Sequence, residues 1–279
     1  MKTLVTGANG QLGRELTRRL QGTEFLPVDI GEMDITDQGA TLKVVKSYQP
    51  DVVIHGAAYT NVDKAETDRQ TAYKVNAIGT QNVAAACLAC GAKMVYVSTD
   101  YIFDGTLGRV YTEFDQPNPQ SVYGKSKLAG EVLAKHILDR LFIVRTSWLY
   151  GDGNNFVWTM LKLGAERSEL KVVNDQHGCP TSTVDLANAL LQLVETEHYG
   201  VFHAVNTGVT TWFDFAKKIF ELTGNDRVRV LPQTTAELNR PAPRPAYSPL
   251  ENMMLGLTIG NVMRPWEEAL RDYIKEYGK

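Results

Sequence analysis

The chain opens with Met1-Lys2-Thr3-Leu4-Val5-Thr6-Gly7-Ala8-Asn9-Gly10-Gln11-Leu12-Gly13, a short apolar strand that runs into three spaced glycines and then into a helical pattern. In a turn of this kind one glycine allows the tight bend, a second lets a pyrophosphate approach the backbone, and a third lets helix and strand pack closely. The helix that follows offers free N–H groups and a partial positive charge to phosphates. The stretch therefore predicts the first strand, turn and helix of a dinucleotide-binding parallel sheet.

The rest of the first two-thirds continues this alternation of β-branched runs with helical stretches, which is typical of a parallel sheet covered on both faces. We predict strands at 3–6, 24–28, 52–55, 93–98, 142–145, 169–173 and 200–204. The predicted helices lie at 11–20, 38–48, 68–89, 124–137 and 184–195. The expected fold is α/β, with a Rossmann-like doubly wound parallel sheet.

The C-terminal part of the chain has a different sequence pattern. After about residue 206 short helices and loops dominate, and five prolines fall between residues 232 and 249. Such segments are more often covering loops than core strands. We predict an NAD(P)-binding Rossmann domain over residues 1–150, to which the chain returns near 182–205, and a smaller, mainly substrate-binding lobe over residues 151–279.

Composition excludes several classes of function. The 279 residues carry a formal net charge of -3, which gives no support for a nucleic-acid or membrane-surface partner. No apolar run is long enough to span a bilayer and no signal peptide fits before the first strand, so the expected location is the cytoplasm. Three cysteines are too few for a disulfide framework, and five scattered histidines show no ligand spacing, so we predict no metal site from these residues.

The second predicted strand ends at Asp29, about twenty residues beyond the turn, where an acid can bind the adenosine ribose hydroxyls. A carboxylate there repels a 2′-phosphate, which favours NADH over NADPH. Arg14, Arg18 and Arg19 lie nearby in the sequence and can offset that repulsion. A surface acid without a ligand remains the alternative for Asp29.

Further cofactor contacts are expected around the turn and at neighbouring strand ends. Asp34 and Ile35 are possible contacts to the adenine edge. Small residues after the third strand leave room for a cofactor at the sheet crevice, although packing against a helix explains them equally well. The predicted cofactor-binding residues at the turn and at this strand end are Gly7, Asn9, Gly10, Gln11, Leu12, Gly13, Ala57, Ala58 and Tyr59.

Tyr123 and Lys127 are spaced to lie on one face of a helix. A phenol titrates near ~10 in water, and an adjacent cation favours its ionised form, which makes it a better proton donor near neutral pH. Thr99, at the end of the fourth strand, can hydrogen-bond a carbonyl oxygen that Tyr123 protonates, although a capping or turn hydroxyl is the alternative. A proton donor beside a hydride source is what a carbonyl reductase requires.

Taken together, these features resemble the extended short-chain dehydrogenase/reductases, and within them the dTDP-4-dehydrorhamnose reductases. The resemblance runs essentially end to end. It is carried by segments 6–13, 58–66, 98–105, 145–151, 175–181 and 240–245.

The resemblance implies that Thr99, Tyr123 and Lys127 form the catalytic set. Lys127 would hold the nicotinamide ribose and lower the pKa of Tyr123, while Thr99 polarises the ketone. Asn76 would support the Tyr/Lys pair through the backbone or water. The implied reaction is NADH- or NADPH-dependent reduction of the C4 ketone of dTDP-4-dehydro-L-rhamnose to dTDP-L-rhamnose, the last step of dTDP-rhamnose synthesis for cell-surface polysaccharide.

The same resemblance implies a set of residues that bind the nucleotide sugar. Arg244 is the expected diphosphate ligand because a guanidinium forks onto phosphate oxygens, and ordinary loop charge is the alternative. Trp212, Trp158 and Trp266 are expected to be core anchors. The implied substrate-binding residues are Thr99, Asp100, Tyr101, Trp148, Asn155, Gln176, Thr181 and Arg244.

The sequence decides neither whether the protein binds a metal ion nor its oligomeric state. Some members of the family have a metal-bridged dimer built on glutamates, and Glu15 suits such a position. The resemblance therefore allows Mg²⁺ without requiring it, and either a monomer or a homodimer.

Two alternatives remain. Another nucleotide-sugar epimerase, reductase or 4,6-dehydratase would share the turn and the Tyr/Lys pair, but dehydratases carry Asp-Glu after the threonine, and here Asp100 is followed by Tyr101. The second alternative is a non-enzymatic regulatory subunit similar to the methionine adenosyltransferase β subunit.

Overall fold

The computed structural model describes residues 1–278 and contains the alternating strands and helices that the sequence predicts. Its strands are β1 (Thr3–Thr6), β2 (Phe25–Val28), β3 (Val52–His55), β4 (Lys93–Thr99), β5 (Leu141–Thr146), β6 (Leu149–Tyr150), β7 (Glu169–Val173), β8 (His177–Gly178), β9 (Thr181–Ser182), β10 (Gly200–His203), β11 (Thr210–Thr211) and β12 (Arg229–Gln233). Its helices are α1 (Gln11–Arg19), α2 (Gln38–Tyr48), α3 (Val62–Thr67), α4 (Arg69–Tyr73), α5 (Thr80–Cys90), α6 (Val122–Ile137), α7 (Phe156–Glu166), α8 (Thr183–Leu193), α9 (Trp212–Thr223), α10 (Thr235–Leu238), α11 (Met253–Ile259) and α12 (Trp266–Tyr277).

A six-stranded parallel sheet, in the order β10-β5-β4-β3-β1-β2, is the centre of the fold. The chain adds β2 on one side of β1 and then crosses to place β3 on the other side. Ligands of open α/β sheets bind where the strand order reverses, outside the carboxyl ends of the strands. The predicted Rossmann-like, doubly wound architecture is confirmed, and its crevice lies at the ends of β1, β3 and β4.

Apolar side chains cover both faces of this sheet. On one face the buried side chains of α1 and α8, such as Leu16 and Leu190, pack on β1, β3 and β5. On the other face α2, α5 and α6 supply a second cluster, which includes Val45, Val83 and Ala134. Each helix buries one stripe of its surface, as a helix that covers a sheet must.

The C-terminal residues build a separate apolar cluster beside the sheet. Phe215 and Ile219 of α9 pack there with Trp266 and Leu270 of α12 and with Val157 of α7. The prediction of a strand at 169–173 is confirmed, but this strand pairs with β12 in a two-stranded parallel ribbon outside the main sheet. By contrast, β10 pairs with β5 and forms the edge of the main sheet.

The prediction of a single helix over residues 68–89 is wrong in one respect. The structure divides it into α4, a π-helical turn over Lys74–Gly79, and α5. The turn brings Gly79 against the core, where an added Cβ would lie 2.7 Å from Cδ1 of Ile35. Such π-bulges insert an extra residue and often re-aim a side chain at a functional site, and here the side chain is that of the fully buried Asn76.

None of the helices within residues 1–278 combines the length and the hydrophobicity needed to cross a lipid bilayer.

Gly13 provides a test of the close packing at the first turn. A Cβ at this position would lie 2.2 Å from the Gly7 carbonyl oxygen and 2.6 Å from Ala8 Cα, both of which are backbone atoms. We expect Gly13→Ala to lower the free energy of unfolding by about 1–3 kcal/mol, because the backbone must move apart. Urea unfolding measures the change.

The matched control is Gly256→Ala. Gly256 lies inside α11 and is exposed, and an added Cβ there would meet no other atom within 4 Å. At this position the same added methyl should stabilise the helix by up to about 1 kcal/mol. Equal effects of the two substitutions would contradict the assignment of a close backbone approach at Gly13.

Candidate active site

The glycine turn forms one wall of a cavity of about 640 Å³ at the carboxyl ends of β1, β3 and β4. Gly7 has a φ of +68°, and a Cβ on it would lie 2.8 Å from the backbone of Ala57. Gly10 is the N-cap of α1 in extended conformation and contributes no side-chain cap. The first N–H groups of α1 therefore face the cavity without a side chain in front of them, which suits an anionic ligand.

About half of the residues predicted from the sequence line this cavity. They are Gly7, Gly10, Gln11, Leu12, Gly13, Ala58, Thr99, Asp100, Tyr101, Tyr123, Lys127 and Trp148. The cavity thus joins the glycine turn to the Thr99, Tyr123 and Lys127 constellation, although these segments lie more than eighty residues apart in the sequence.

Asp29 lies directly after β2 and is tied to the turn. Its Oδ2 accepts a hydrogen bond of 2.9 Å from the backbone N–H of Asn9. The three nearby arginines pair with other carboxylates. Arg18 and Arg19 both bind the Glu15 carboxylate, at 2.6 Å and 2.5 Å, and Arg14 pairs with Asp152 at 3.1 Å. Arg14 also donates to the Asn9 carbonyl at 2.8 Å, so its guanidinium lies beside the residue whose N–H binds Asp29.

Asp34 and Ile35, the predicted adenine contacts, make hydrogen bonds and packing contacts with other residues of the protein. The Asp34 carboxylate accepts a 2.9 Å hydrogen bond from the Thr36 backbone, which lowers the pKa of Asp34. The Ile35 side chain is buried against Gly79, and its carbonyl accepts a hydrogen bond from Asn82. The Ile35 side chain therefore belongs to the core, and the adenine contact of Asp34 and Ile35 stays a prediction.

The side chain of Asn76 connects two segments that border the cavity. Its Oδ1 accepts a 2.8 Å bond from the Tyr59 backbone N–H, and its Nδ2 donates to the Tyr59 carbonyl at 3.1 Å. The same Nδ2 donates to Ser126 Oγ at 2.9 Å, and Ser126 in turn donates to the Tyr123 carbonyl. Asn76 thus holds the first turn of α6, which carries Tyr123, against the end of β3.

Tyr123 and Lys127 lie one turn apart on α6, as the sequence predicts, but their ionisation differs from the prediction. Burial raises the pKa of Tyr123 to about 12, and a hydrogen bond with Thr99 offsets only part of this effect. Burial lowers the pKa of Lys127 to about 7. The Lys127 ammonium donates to the Val97 carbonyl at 2.8 Å and lies 4.1 Å from the centre of the Tyr96 ring. The expected lowering of the Tyr123 pKa is wrong for this structure, because burial, the largest cause, raises it.

Thr99 and Asp100 share a short hydrogen-bond chain at the end of β4. Thr99 Oγ1 donates to Asp100 Oδ1 at 3.1 Å and accepts from the Tyr101 backbone N–H at 3.2 Å. Ser248 donates to the other Asp100 oxygen at 2.6 Å. Burial raises the pKa of Asp100 to about 6, against the opposing effect of these hydrogen bonds. The chain fixes the Thr99 hydroxyl beside the Tyr123 phenol.

Trp148 projects into the far side of the cavity from a strained backbone. Its φ of +46° lies in the left-handed region, which is uncommon for a residue other than glycine. The indole stacks on Trp212, with ring centroids 3.6 Å apart and planes 8° from parallel. Its other side lies against Gly178, where a Cβ would approach within 2.4 Å. The stacking and the close glycine together hold this conformation.

A second cavity of about 450 Å³ adjoins the first, since Tyr101 and Trp212 line both. Gln176 and Arg244, two of the predicted substrate residues, line this second cavity. The Arg244 guanidinium forms a bidentate pair with Asp63, both hydrogen bonds being 3.0 Å long. The structure therefore brings Arg244 and Gln176 next to the glycine-turn cavity rather than into it.

Two predicted substrate residues have structural roles. Asn155 caps α7 by accepting from the Trp158 backbone, and its amide donates to the Gly151 carbonyl and to Tyr273. Thr181 is fully buried and donates to the Cys179 carbonyl. Both side chains are hydrogen-bonded within the protein, and their binding of substrate hydroxyls stays a prediction.

Comparison with known proteins agrees with this geometry. The model of the family described as RmlD substrate binding domain matches residues 1–279. A dTDP-4-dehydrorhamnose reductase of Streptomyces griseus is 44% identical over 278 residues, which cover 96% of this chain and 91% of the relative. The chain belongs to the dTDP-4-dehydrorhamnose reductase family.

Solved structures of the dTDP-4-dehydrorhamnose reductase family superpose over the whole chain. That of Clostridium acetobutylicum ATCC 824 is 52% identical with a TM-score of 0.98, and the match covers 100% of both chains. That of Bacillus anthracis str. Ames, in complex with NADP, is 47% identical with a TM-score of 0.96, and 99% of each chain is covered.

The possible metal ligand of this family member is already paired. Glu15 is buried, and both of its oxygens are bound by Arg18 and Arg19. Across residues 1–278, no three His, Cys, Asp or Glu side chains come together in an arrangement that could hold a metal ion.

Sequence reasoning missed two residues of the site in this reductase-family chain. Trp212 is expected in the core, but it lines both cavities and stacks on Trp148. Asp63, the partner of Arg244, lies in the 58–66 segment that carries the resemblance, and its place within that segment is the only available signal. The core prediction is correct for Trp266, which is 6% exposed, and wrong for Trp158, which is 45% exposed.

The stack of Trp148 on Trp212 can be tested through Gly178. In Gly178→Ala the new methyl would displace the Trp148 indole, at a cost of about 1–3 kcal/mol in the free energy of unfolding. We expect the near-ultraviolet circular dichroism of the stacked pair to fall markedly. Trp158→Phe is the control, since Trp158 is exposed and should leave that signal intact. An unchanged spectrum in Gly178→Ala would show that the stack does not depend on this glycine.

Proposed function

We propose that this protein is an oxidoreductase that uses NAD(P)H to reduce the C4 ketone of dTDP-4-dehydro-L-rhamnose to dTDP-L-rhamnose, the last step of dTDP-rhamnose synthesis. Its family membership supports the substrate. One structural observation supports the chemistry most directly: Thr99, Tyr123 and Lys127 line the same cavity as the glycine turn. A ketone bound there would have a proton donor and a cofactor site within one enclosed space.

The cofactor site suits a dinucleotide. The glycines at 7 and 13 remove side chains that would collide with backbone, and the open N-terminus of α1 presents N–H groups and a positive dipole end. We propose that the turn binds the pyrophosphate, that Asp29 binds the adenosine ribose, and that Tyr123 and Lys127 bind the nicotinamide ribose. When bound, NAD(P)H would supply the hydride.

Tyr123 is the proposed general acid. Because burial raises the pKa of Tyr123 to about 12, the phenol keeps its proton at neutral pH until negative charge develops on the ketone oxygen. The proposed role of Thr99 is to donate a hydrogen bond to that oxygen: its hydroxyl, which donates to Asp100 here, would turn its single hydrogen to the ketone while the Tyr101 N–H holds its oxygen. Protonated Lys127 would stabilise developing negative charge on the Tyr123 oxygen.

The adjoining cavity is the proposed site for the nucleotide end of the substrate. Arg244 would bind the diphosphate there through the N–H groups that its bidentate pair with Asp63 leaves free, and the Asp63 carboxylate would fix the orientation of the guanidinium. Trp148 would pack against the sugar at the junction of the two cavities. In this proposal residues 151–279 supply most of the substrate contacts.

We propose that both reduced cofactors serve and that NADH is preferred. The Asp29 carboxylate lies directly after β2, and none of Arg14, Arg18 and Arg19 forms an ion pair with it; their ion pairs are with Asp152 and Glu15. A 2′-phosphate beside this carboxylate would be repelled. The relative from Bacillus anthracis, in complex with NADP, is the reason to propose use of both cofactors rather than of NADH alone.

Tyr123→Phe tests the proposed reaction. With dTDP-4-dehydro-L-rhamnose and NADH, we expect kcat to fall by about 10²–10⁴, the usual contribution of a general acid. Cofactor affinity should fall far less than kcat, because the proposed contacts of Lys127 to the nicotinamide ribose and of the glycine turn to the pyrophosphate remain. Tyr199→Phe is the control. Tyr199 directly precedes β10, an edge strand, and so lies at the amino end of that strand, whereas the cavity lies at the carboxyl ends of β1, β3 and β4. A wild-type protein that binds cofactor but oxidises none would contradict the reductase and favour a regulatory subunit.

Asp29→Ser tests the cofactor preference. Removing the carboxylate should lower the ratio of kcat/KM for NADH to kcat/KM for NADPH by about tenfold, which corresponds to about 1.4 kcal/mol of like-charge repulsion. Glu24→Gln, which removes a carboxylate just before the other end of β2, should leave the ratio unchanged. An unchanged ratio in Asp29→Ser would mean that another group decides between the cofactors.

A further inference from the structure

Ser248, in the C-terminal part of the chain, binds the carboxylate that lies next to the proposed catalytic threonine. Its Oγ donates to Asp100 Oδ2 at 2.6 Å, while Thr99 Oγ1 donates to Asp100 Oδ1 at 3.1 Å. All three side chains are buried. They therefore form a chain of hydrogen bonds with little access to water, in which one carboxylate joins two hydroxyl groups from distant parts of the sequence.

The backbone around Ser248 is held on both sides. The Ser248 N–H donates to the His177 carbonyl at 3.0 Å. The carbonyl of the next residue, Pro249, accepts from the Tyr111 N–H at 2.8 Å. Because these bonds fix the backbone independently of the side chain, the Ser248 hydroxyl can stay directed at Asp100 when the other partners of this carboxylate change.

The hydroxyl of Thr99 has a single hydrogen, and in this structure that hydrogen goes to Asp100. The Thr99 oxygen already accepts from the Tyr101 N–H at 3.2 Å. A ketone that binds to the Thr99 hydroxyl must therefore take the hydrogen away from Asp100. A buried carboxylate that loses a hydrogen-bond donor is destabilised unless another donor remains.

Ser248 is a donor that remains. Burial raises the pKa of Asp100 to about 6, and the hydrogen bond from Ser248 has the largest of the opposing effects. The Asp100 charge also acts on Tyr101, Tyr123 and Cys179, but burial raises the pKa of each of these groups, so all three are neutral at neutral pH. Hydrogen bonds therefore supply most of the stabilisation of this carboxylate.

We propose that Ser248 is a positioning residue for the reduction, which keeps the Asp100 carboxylate hydrogen-bonded while Thr99 turns its hydrogen to the ketone. The inference rests on the proposed function of Thr99. Ser248 is not among the residues that line the glycine-turn cavity, and its effect reaches the ketone only through Asp100 and Thr99. It lies four residues after Arg244, so one short segment would serve both the diphosphate and the ketone of the substrate.

The first measurement is a titration of Asp100 without substrate. Protein labelled with ¹³C at the aspartate carboxyl gives one signal per aspartate, and Asp100→Asn identifies the signal of interest. In Ser248→Ala we expect the pKa of Asp100 to rise by about 1–2 units, because the charged form loses a hydrogen bond. Ser182→Ala is the matched control. Ser182 is also a buried serine, but its hydroxyl caps α8 at the Val184 N–H, and its loss should leave the pKa of Asp100 unchanged.

The second measurement tests whether Ser248 acts through Thr99. We compare kcat/KM for dTDP-4-dehydro-L-rhamnose in the wild-type protein, Ser248→Ala, Thr99→Val and the double variant, at a pH at which the titration shows Asp100 ionised in all four. Ser248→Ala should lower kcat/KM about tenfold, the equivalent of one hydrogen bond. In the Thr99→Val background, where no hydrogen is left to turn, the same change should lower it by less than about twofold.

Equal effects of Ser248→Ala in the two backgrounds would show that Ser248 acts only through packing, and would overturn the proposal. Ser248→Cys covers the case in which Ser248→Ala does not fold, since it keeps a side chain of similar size with a weaker donor. An Asp100 that titrates as in the wild-type protein in either folded variant also overturns the proposal. A wild-type protein that oxidises no cofactor contradicts the proposed function, whereas an unchanged pKa of Asp100 contradicts only the role of Ser248.

Discussion

The close approach of the first turn to its neighbours is the constraint on which the rest of the site depends. Gly7 and Gly13 let the turn lie against β3 and against itself at distances that admit no side chain. This contact places the N-terminus of α1 at the strand-order reversal between β1 and β3. The open end of one helix and the carboxyl ends of three strands therefore meet in a single cavity. A wider turn would separate the phosphate-binding N–H groups from the residues that carry the chemistry.

Helix α6 positions those residues because it is packed unusually close to its surroundings. A Cβ at Gly124 would lie 2.2 Å from the Tyr101 carbonyl, and one at Gly130 would lie 2.3 Å from the Asn76 carbonyl. Next to the first contact and between the two, the helix presents Tyr123 and Lys127 to the cavity. This packing buries Lys127 and partly buries Tyr123, and burial is the largest cause of the pKa shift of each. The packing of α6 thus affects both the positions and the pKa values of these two side chains.

Charge pairing joins the two parts of the molecule around the cavities. Asp63 lies in α3, far from the C-terminal part in sequence, yet it binds Arg244 and Arg240 of the proline-rich segment and the backbone of Ala242. Because these side chains are half-buried, a bidentate pair of this kind restricts the orientation of the guanidinium and the carboxylate as well as the distance between them. The proline-rich segment is thereby held against α3, and the second cavity forms between this segment, α7 and β7.

The sequence by itself determined the features that depend on short-range periodicity. The strands of the main sheet, the glycine turn, the Tyr123/Lys127 face of α6 and the position of Thr99 at a strand end could all be predicted, because each follows from the local geometry of a strand, a turn or a helix. The tertiary structure alone decided the contacts between distant segments. It paired Arg244 with Asp63, stacked Trp148 on Trp212, buried Thr181, and divided the helix predicted over 68–89 at the π-helical turn. It also decided the ionisation of Tyr123, since desolvation depends on what packs around a side chain and no local pattern records it.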